Sequence, residues 1–180
     1  MKSDQLEHVL RAAARVLEQP DFLVVGSAAI LGSVEDAILP LEASRSDEAD
    51  LAPFDDQDGS KSMQIEGALG QGSQFHSTFG YYADGVDFGT AMAPAGWQHR
   101  LVRFATEGSK PGRGWCLEPH DLAASKLAAG RPKDYEFVES LLRAGLIDVE
   151  LLGRRIDQLP RERVIPAFLA RARAWVKTQG

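Results

Sequence analysis

Two acidic side chains stand two residues apart in the short segment Glu48-Ala49-Asp50-Leu51. Alternate residues of a β-strand point the same way, so a strand here places both carboxylates on one face and Ala49 and Leu51 on the other. The two Cα atoms would then lie about 6.7 Å apart, which lets both carboxylates contact one Mg²⁺ or Mn²⁺ ion. Acids at a sheet end are also common as solvated charge, and the neighbouring Asp47 fits that alternative.

A second feature is the pair Gly26-Ser27, which follows the apolar run 22–25 and precedes another apolar run at 28–31. This order predicts a strand, a tight turn and a short helix. Backbone N–H groups at such a turn, with the Ser27 hydroxyl, can bind a phosphate at a helix N-terminus. Strand-to-helix turns also use Gly and Ser for purely conformational reasons, so the pair alone leaves both interpretations open.

A basic cluster lies later in the chain, at the junction of two predicted helices. Lys126 falls in the first helix, and Arg131 and Lys133 fall near the turn that Asp134 closes. These cations could neutralise a triphosphate, or position Asp134 through an ion pair. A solvated helix junction has the same composition, so the cluster by itself is consistent with either.

The elements that must position these groups follow from apolar periodicity, prolines near first turns and glycines after helix ends. Helices are predicted over 4–18, 63–69, 119–128, 132–144, 148–156 and 160–177, with a short helix and loop within 34–46. Strands are predicted over 22–25 and 48–51, with two or three more from the runs 79–82, 86–88 and 101–104. The expected fold class is α/β (α+β), a small mixed sheet flanked by helices with a C-terminal helical segment.

Length and composition favour one soluble domain. The chain has 180 residues, of which 44% are hydrophobic, enough for one sizeable core. We expect a single domain over 1–180, with a helix and sheet core in 1–118 and helices in 119–180. The charged N-terminus does not resemble a signal peptide, and no apolar run reaches the roughly 18 residues of a membrane span, which predicts a cytoplasmic protein without a membrane partner. The single cysteine, Cys116, excludes an internal disulfide.

Charge is distributed unevenly along the chain. The net charge is −6, which argues against a generally basic nucleic-acid binder. Residues 1–97 carry 16 acidic and 5 basic side chains, whereas residues 98–180 carry 10 acidic and 15 basic ones. An acidic half suits divalent metals and a basic half suits phosphates, although solvated helix faces produce similar counts.

Taken together, these features resemble the DNA polymerase β-like nucleotidyltransferase superfamily, and in particular the bacterial AbiEii-type toxin nucleotidyltransferases. The family pattern is an apolar strand ending in Gly-Ser, an acid-x-acid pair on the next strand, and a helix with Lys-Leu-x-Ala before an Arg and an Asp. Here these are Val24-Val25-Gly26-Ser27, Glu48-Ala49-Asp50, and Lys126-Leu127-Ala128-Ala129 followed by Arg131 and Asp134. The resemblance spans about residues 22–140.

The resemblance implies that Glu48 and Asp50 hold Mg²⁺ or Mn²⁺ for catalysis. Many superfamily members have a third carboxylate on a later strand that activates the attacking hydroxyl. Asp87, in Gly85-Val86-Asp87, is the candidate for that role here, and it could equally be a turn residue.

The resemblance also implies roles for the other motif residues. Gly26 and Ser27 would bind phosphate, and Lys126 would neutralise the transferred or leaving phosphate. Arg131 would contribute to phosphate binding, and Asp134 with Arg131 would orient Lys126 or the acceptor.

By the same resemblance, the protein would move a nucleotide from a nucleoside triphosphate such as ATP or CTP to a hydroxyl on tRNA or a protein. It would then be a toxin of a toxin–antitoxin or phage-defence system, with a helix-turn-helix antitoxin as partner. One alternative is an inactive nucleotidyltransferase-like module that binds a partner or acts as an antitoxin. A plain interaction domain whose acids are only solvated charge is a further alternative.

Overall fold

A five-stranded mixed sheet forms the centre of the computed structural model, which describes residues 1–179. Its strands are β1 (Asp21–Val25), β2 (Glu48–Pro53), β3 (Tyr82–Gly85), β4 (Val102–Phe104) and β5 (Arg113–Cys116). They lie in the order β3-β2-β1-β5-β4. Strand β1 is antiparallel to β2 and parallel to β5, β2 is parallel to β3, and β4 is antiparallel to β5. The predicted mixed sheet is confirmed.

The burial of the two central strands explains their sequences. Residues 22–25 of β1 are all buried, because the strand has neighbours on both edges and is covered on both faces. In β2, Ala49 and Leu51 are fully buried, while Glu48 and Asp50 are only partly buried on the opposite face. The alternation read from the sequence therefore sets which way the carboxylates point.

In the described part of the chain, eight α-helices surround the sheet, in agreement with the predicted fold class. They are α1 (Ser3–Leu17), α2 (Leu41–Ser44), α3 (Ser60–Leu69), α4 (Gln74–Phe79), α5 (Pro119–Ala129), α6 (Pro132–Arg143), α7 (Val149–Asp157) and α8 (Pro166–Lys177). Helices α5 and α6 begin with proline at the first turn, where the missing N–H has no helical partner to lose. Within residues 1–179, none of the helices is long and apolar enough to cross a membrane.

Three local predictions were wrong, and one strand was not predicted. The run 79–82 ends a short helix and begins β3, and the run 86–88 enters a 3-10 helix at Phe88–Thr90 instead of forming a strand. Strand β5 was missed, because Arg-Gly-Trp-Cys is too short to show an alternation. The last helix begins at Pro166, not near Pro160, because the residue before a proline disfavours helical backbone.

A buried ion cluster joins helix α5 to the 3-10 helix at Trp97–Arg100 and to α7. Asp121 of α5 is fully buried and accepts two hydrogen bonds from Arg100, at 2.8 Å from Nε and 3.0 Å from a terminal nitrogen. Arg155 of α7 places Nε 3.0 Å from Asp121 Oδ1, without the angle of a hydrogen bond. Charge-assisted, bidentate contacts of this kind are specific in geometry. They set the position from which α5 presents Lys126.

Candidate functional site

Three carboxylates from two neighbouring strands converge at one edge of the sheet. Glu48 and Asp50 lie on β2, and the parallel pairing of β2 with β3 sets Asp84 beside Asp50. One carboxylate oxygen from each of the three lies within 4.8 Å of the others. Three hard oxygen donors at this spacing are a ligand set that suits Mg²⁺ or Mn²⁺. The sequence-predicted pair Glu48 and Asp50 is therefore brought together, with a third member.

The carboxylate that joins Glu48 and Asp50 is that of Asp84, and the predicted candidate Asp87 lies outside the group. Asp87 precedes the 3-10 helix at 88–90 and caps it, accepting a hydrogen bond of 2.6 Å from the Gly89 N–H. That cap keeps its carboxylate out of the acidic group. In the sequence, Asp84 could be found from the segment Tyr82-Ala83-Asp84, which has the same pattern as Glu48-Ala49-Asp50. Ala83 is fully buried, and its two neighbours share the opposite face.

The carboxylates repel one another in a partly buried setting. Burial, and then the charge of Glu48, raises the pKa of Asp50 to about 7. Burial, and then the charge of Glu66 on α3, raises the pKa of Asp84 to about 6. The Oδ1 atom of Asp84 is buried and has no hydrogen-bond partner among residues 1–179. A cation would relieve the repulsion and give that oxygen a partner, so the three residues fit a divalent metal.

Gly26 lies directly against Asp50. Its φ of 62° and ψ of −162° belong to a region that glycine alone adopts readily. A Cβ atom at position 26 would lie 1.8 Å from Oδ2 of Asp50. The absent side chain therefore makes room for the carboxylate, so the glycine of the Gly-Ser pair has a role beyond turn formation.

Lys126 reaches across from α5 to the other half of the Gly-Ser pair. Its Nζ atom donates a hydrogen bond of 2.8 Å to Ser27 Oγ, although the two residues are 99 positions apart in sequence. The ammonium also lies 3.5 Å from Asp134 Oδ1 and over the ring of Phe137, 5.2 Å from its centroid. Burial lowers the pKa of Lys126 from its usual value, and the charge of Asp134 opposes that effect. Two of the sequence-predicted phosphate residues, Ser27 and Lys126, are thus in contact.

Asp134 acts as the anchor of the basic cluster. It is fully buried, and it accepts hydrogen bonds from Arg131 Nε at 2.7 Å and from a terminal guanidinium nitrogen at 3.2 Å. It also accepts a bond of 3.3 Å from the Arg131 backbone N–H, which caps helix α6. Both cations that face the carboxylates, Lys126 and Arg131, are therefore held by one buried carboxylate.

A cleft of about 340 Å³ separates the acidic and basic groups. Its size falls in the range of about 300–1,000 Å³ that is usual for small-molecule sites. The acidic wall is Glu48 and Asp50, and the basic wall is Lys126, Arg131 and Lys133. The rest of the lining is mainly small or apolar: Val25, Gly26, Ser27, Ser46, Thr90, Ala91, Met92, Leu122, Ser125 and Ala129.

Two aromatic residues that the sequence analysis did not single out support the first carboxylate. The Tyr82 hydroxyl donates a hydrogen bond of 3.2 Å to Glu48 Oε2. Burial, and then the charge of Glu48, raises the pKa of Tyr82 to about 12, so the hydroxyl keeps its proton. The His76 ring packs against Tyr82 with centroids 4.8 Å apart. Together they restrict the orientation of Glu48.

The raised pKa values predict how stability depends on pH. Asp50, with a pKa of about 7 against 3.8 for the free side chain, makes the folded chain bind more protons than the unfolded chain in that interval. The carboxyl therefore lowers the free energy of unfolding as pH rises from about 4 to about 7. We expect the free energy of unfolding of the Asp50→Asn variant, relative to that of the wild type, to increase by about 1–3 kcal/mol from pH 5 to pH 8. Urea unfolding of both proteins at each pH measures this; a difference that is constant with pH contradicts it.

Comparison with known proteins identifies the family to which the chain belongs. No curated protein and no solved structure matches the chain significantly. A family model described as nucleotidyltransferase of unknown function (DUF6036) matches residues 4–167, a range that contains every site residue described above. The chain therefore belongs to this family of nucleotidyltransferases.

Proposed function

We propose that the protein is a metal-dependent nucleotidyltransferase that moves a nucleotide from a nucleoside triphosphate to a hydroxyl acceptor. The observation that carries the proposal is the convergence of three carboxylates, those of Glu48, Asp50 and Asp84. Glu48 and Asp50 also line one cleft, opposite Lys126 and Arg131. Phosphoryl transfer needs cationic side chains that neutralise the phosphates. It also needs oxygen ligands that hold a metal ion next to the same phosphates. Family membership supports this reading.

Glu48, Asp50 and Asp84 would hold Mg²⁺ or Mn²⁺. When bound there, the metal would supply Lewis-acid stabilisation of charge that develops on phosphate oxygens. The metal-binding role of Glu48 and Asp50 follows the resemblance, and Asp84 replaces Asp87 as the third carboxylate.

The chain's own residues would position the nucleotide and move one proton. Ser27 and the Gly26 backbone would bind phosphate, with Lys126 and Arg131 neutralising it. The acceptor oxygen would bond to the α-phosphorus as the bond to the bridging oxygen breaks, and pyrophosphate would leave. The acceptor's proton would pass to Asp84, the carboxylate beside Asp50 on the neighbouring strand, which would act as a general base. Asp134, already bonded to both cations, would act as a positioning residue.

The finer assignment rests on the resemblance alone. It implies an AbiEii-type toxin of a bacterial toxin–antitoxin or phage-defence system, acting in the cytoplasm on tRNA or a protein, with a helix-turn-helix antitoxin as partner. The family match over 4–167 supports treating the chain as one nucleotidyltransferase-like domain. The alternative, an inactive binding module, would fit a site without a third carboxylate, and Asp84 is the candidate for that carboxylate.

Incubation with Mg²⁺ and each α-labelled nucleoside triphosphate, with and without total RNA and protein extract, tests the proposal. We expect label transfer by the wild type and a loss of about 10²–10⁴-fold in Asp84→Asn, which removes the proton acceptor. Asp87→Asn is the matched control and should retain full transfer, because Asp87 only caps a turn.

The outcomes separate the alternatives. Triphosphate-dependent thermal stabilisation without transfer would indicate the binding module, because only a ligand of the native state raises the melting temperature. If neither transfer nor thermal stabilisation is observed, the carboxylates are only solvated charge, as in the plain interaction domain. Loss of transfer in Asp87→Asn and not in Asp84→Asn would reverse the assignment of the third carboxylate.

A further inference from the structure

Tyr82 lies on the same face of the sheet as the three carboxylates. The parallel pairing of β2 with β3 opposes Glu48 to Tyr82. Two residues further along, the same register opposes Asp50 to Asp84. Alternate residues of a strand share a face, and Ala83 between the two β3 residues is fully buried on the other one. The phenol is therefore the fourth member of a group whose other members are carboxylates.

The Tyr82 hydroxyl orients Glu48 without neutralising it. It donates a hydrogen bond of 3.2 Å to Glu48 Oε2. A free glutamate side chain samples several rotamers, and fixing it costs conformational entropy that a bound metal would otherwise have to offset. A phenol is a neutral donor, whereas a lysine or arginine at this place would compete with a metal cation for the carboxylate. The contact therefore holds Glu48 in place and leaves its charge available to a metal.

The ring of His76 supports Tyr82 from the preceding helix. Helix α4 ends at Gly80, whose N–H donates a bond of 2.8 Å to the His76 carbonyl and whose φ of 76° turns the chain. Two residues later Tyr82 begins β3, and its ring lies 4.8 Å from that of His76, centroid to centroid. The imidazole is held in turn by the Gly72 N–H, which donates a bond of 3.0 Å to Nδ1. Tyr82 cannot swing away from Glu48 without losing this packing.

We infer that Tyr82, supported by His76, is a positioning residue that sets the affinity of the three-carboxylate site for its metal. In the proposed function, on which this inference rests, that metal is Mg²⁺ or Mn²⁺. Hydrogen-bond partners of metal ligands fix the orientation of the ligands, and their loss usually costs about 10–100-fold in metal affinity. Tyr82 acts through Glu48, so its removal should change metal binding and not the chemical step.

Titration of the metal-free protein with Mn²⁺, followed by the electron paramagnetic resonance signal of the free ion, measures this affinity directly. We expect Tyr82→Phe, which keeps the ring and loses only the hydroxyl, to bind Mn²⁺ about 10–100-fold more weakly than the wild type. Tyr81→Phe is the matched control, because the Tyr81 hydroxyl is bonded to His8 Nδ1 at 2.8 Å and should leave the affinity unchanged. Equal affinity of Tyr82→Phe and the wild type would overturn the inference.

A double-variant cycle tests whether His76 acts through the tyrosine. His76→Ala removes the ring that packs against Tyr82, and it should weaken Mn²⁺ binding by about three- to tenfold, less than loss of the hydroxyl itself. In the Tyr82→Phe background the same change should have almost no further effect, since the hydroxyl that His76 supports is absent. Independent effects of the two changes would overturn the role of His76.

The metal dependence of nucleotide transfer separates positioning from catalysis. Tyr82→Phe should raise the Mn²⁺ concentration that gives half-maximal transfer by the same factor as the dissociation constant, with the maximal rate within about threefold of the wild type. Asp84→Asn should instead lose maximal rate at every Mn²⁺ concentration, because it lacks the proton acceptor. A loss of maximal rate in Tyr82→Phe that excess Mn²⁺ does not restore would overturn the inference.

The same measurements distinguish failure of the inference from failure of the proposed function. Weaker Mn²⁺ binding by Tyr82→Phe, with no transfer by the wild type, would keep the inference and overturn the proposed transferase activity. Transfer and Mn²⁺ binding that are both unchanged in Tyr82→Phe would overturn the inference and keep the function. Absence of saturable Mn²⁺ binding by the wild type would overturn the proposed metal site and the inference with it.

Discussion

The Asp50→Ala variant is expected to transfer no measurable nucleotide and to unfold at a higher temperature than the wild type in the absence of metal. The loss should be at least about a thousandfold, because a metal that stabilises transition-state charge is worth several kcal/mol and its ligand set is broken. The gain in stability follows from the crowding of Asp50 with Glu48, which raises the pKa of Asp50. Relief of about 1 kcal/mol corresponds to a rise of about 2–4 °C for a chain of this length.

Circular dichroism and a label-transfer assay on the same preparation measure both effects. Glu48→Ala should behave in the same way, since it removes the other partner of the repulsion. Addition of Mn²⁺ should raise the melting temperature of the wild type and not that of either variant, because only the wild type keeps three ligands. Global unfolding of both variants would contradict the assignment of these carboxylates to metal binding.

Local patterns in the sequence predict most of the fold and two of the three carboxylates, those of Glu48 and Asp50. The alternation in Glu48-Ala49-Asp50-Leu51 fixes which side chains are buried, and it holds in the structure. The prolines at 119 and 132 mark the starts of α5 and α6 because proline is tolerated at the first helical turn. Both signals come from residues a few positions apart, so a single sequence contains them.

The rest of the site depends on pairing between distant segments. Asp84 joins the group only because β3 pairs in parallel with β2 in the register that opposes Asp84 to Asp50. The four residues of β3 do not by themselves encode that register, and the aromatic run 79–82 predicts a strand that begins three residues too early. The hydrogen bond between Lys126 and Ser27 likewise joins residues 99 positions apart. In the sequence, only the family resemblance indicates that both belong to one phosphate site.

Gly26→Ala is expected to damage both stability and the site. A residue with a side chain at φ 62° and ψ −162° is strained by about 1–3 kcal/mol, and its Cβ would lie 1.8 Å from Asp50 Oδ2. The carboxylate must move away, so we expect a loss of about 2–4 kcal/mol in the free energy of unfolding together with loss of nucleotide transfer. Gly145→Ala is the matched control, because Gly145 also has a positive φ, of 66°, and no atom lies within 4 Å of the added Cβ. Urea unfolding should show a loss of only about 1–2 kcal/mol for Gly145→Ala.

The double variant Gly26→Ala/Asp50→Ala separates backbone strain from the contact with the carboxylate. If the two residues are in direct conflict, removing the carboxylate should recover about 1–2 kcal/mol of the stability that Gly26→Ala loses, beyond the gain from Asp50→Ala alone. Strictly additive effects would mean that Gly26 serves the turn and not the position of Asp50. Transfer should remain absent in either case, since the double variant lacks a metal ligand. Non-additive effects on stability would therefore show that Gly26 is needed to position the Asp50 carboxylate. A glycine that served only phosphate binding by the turn would not show this coupling.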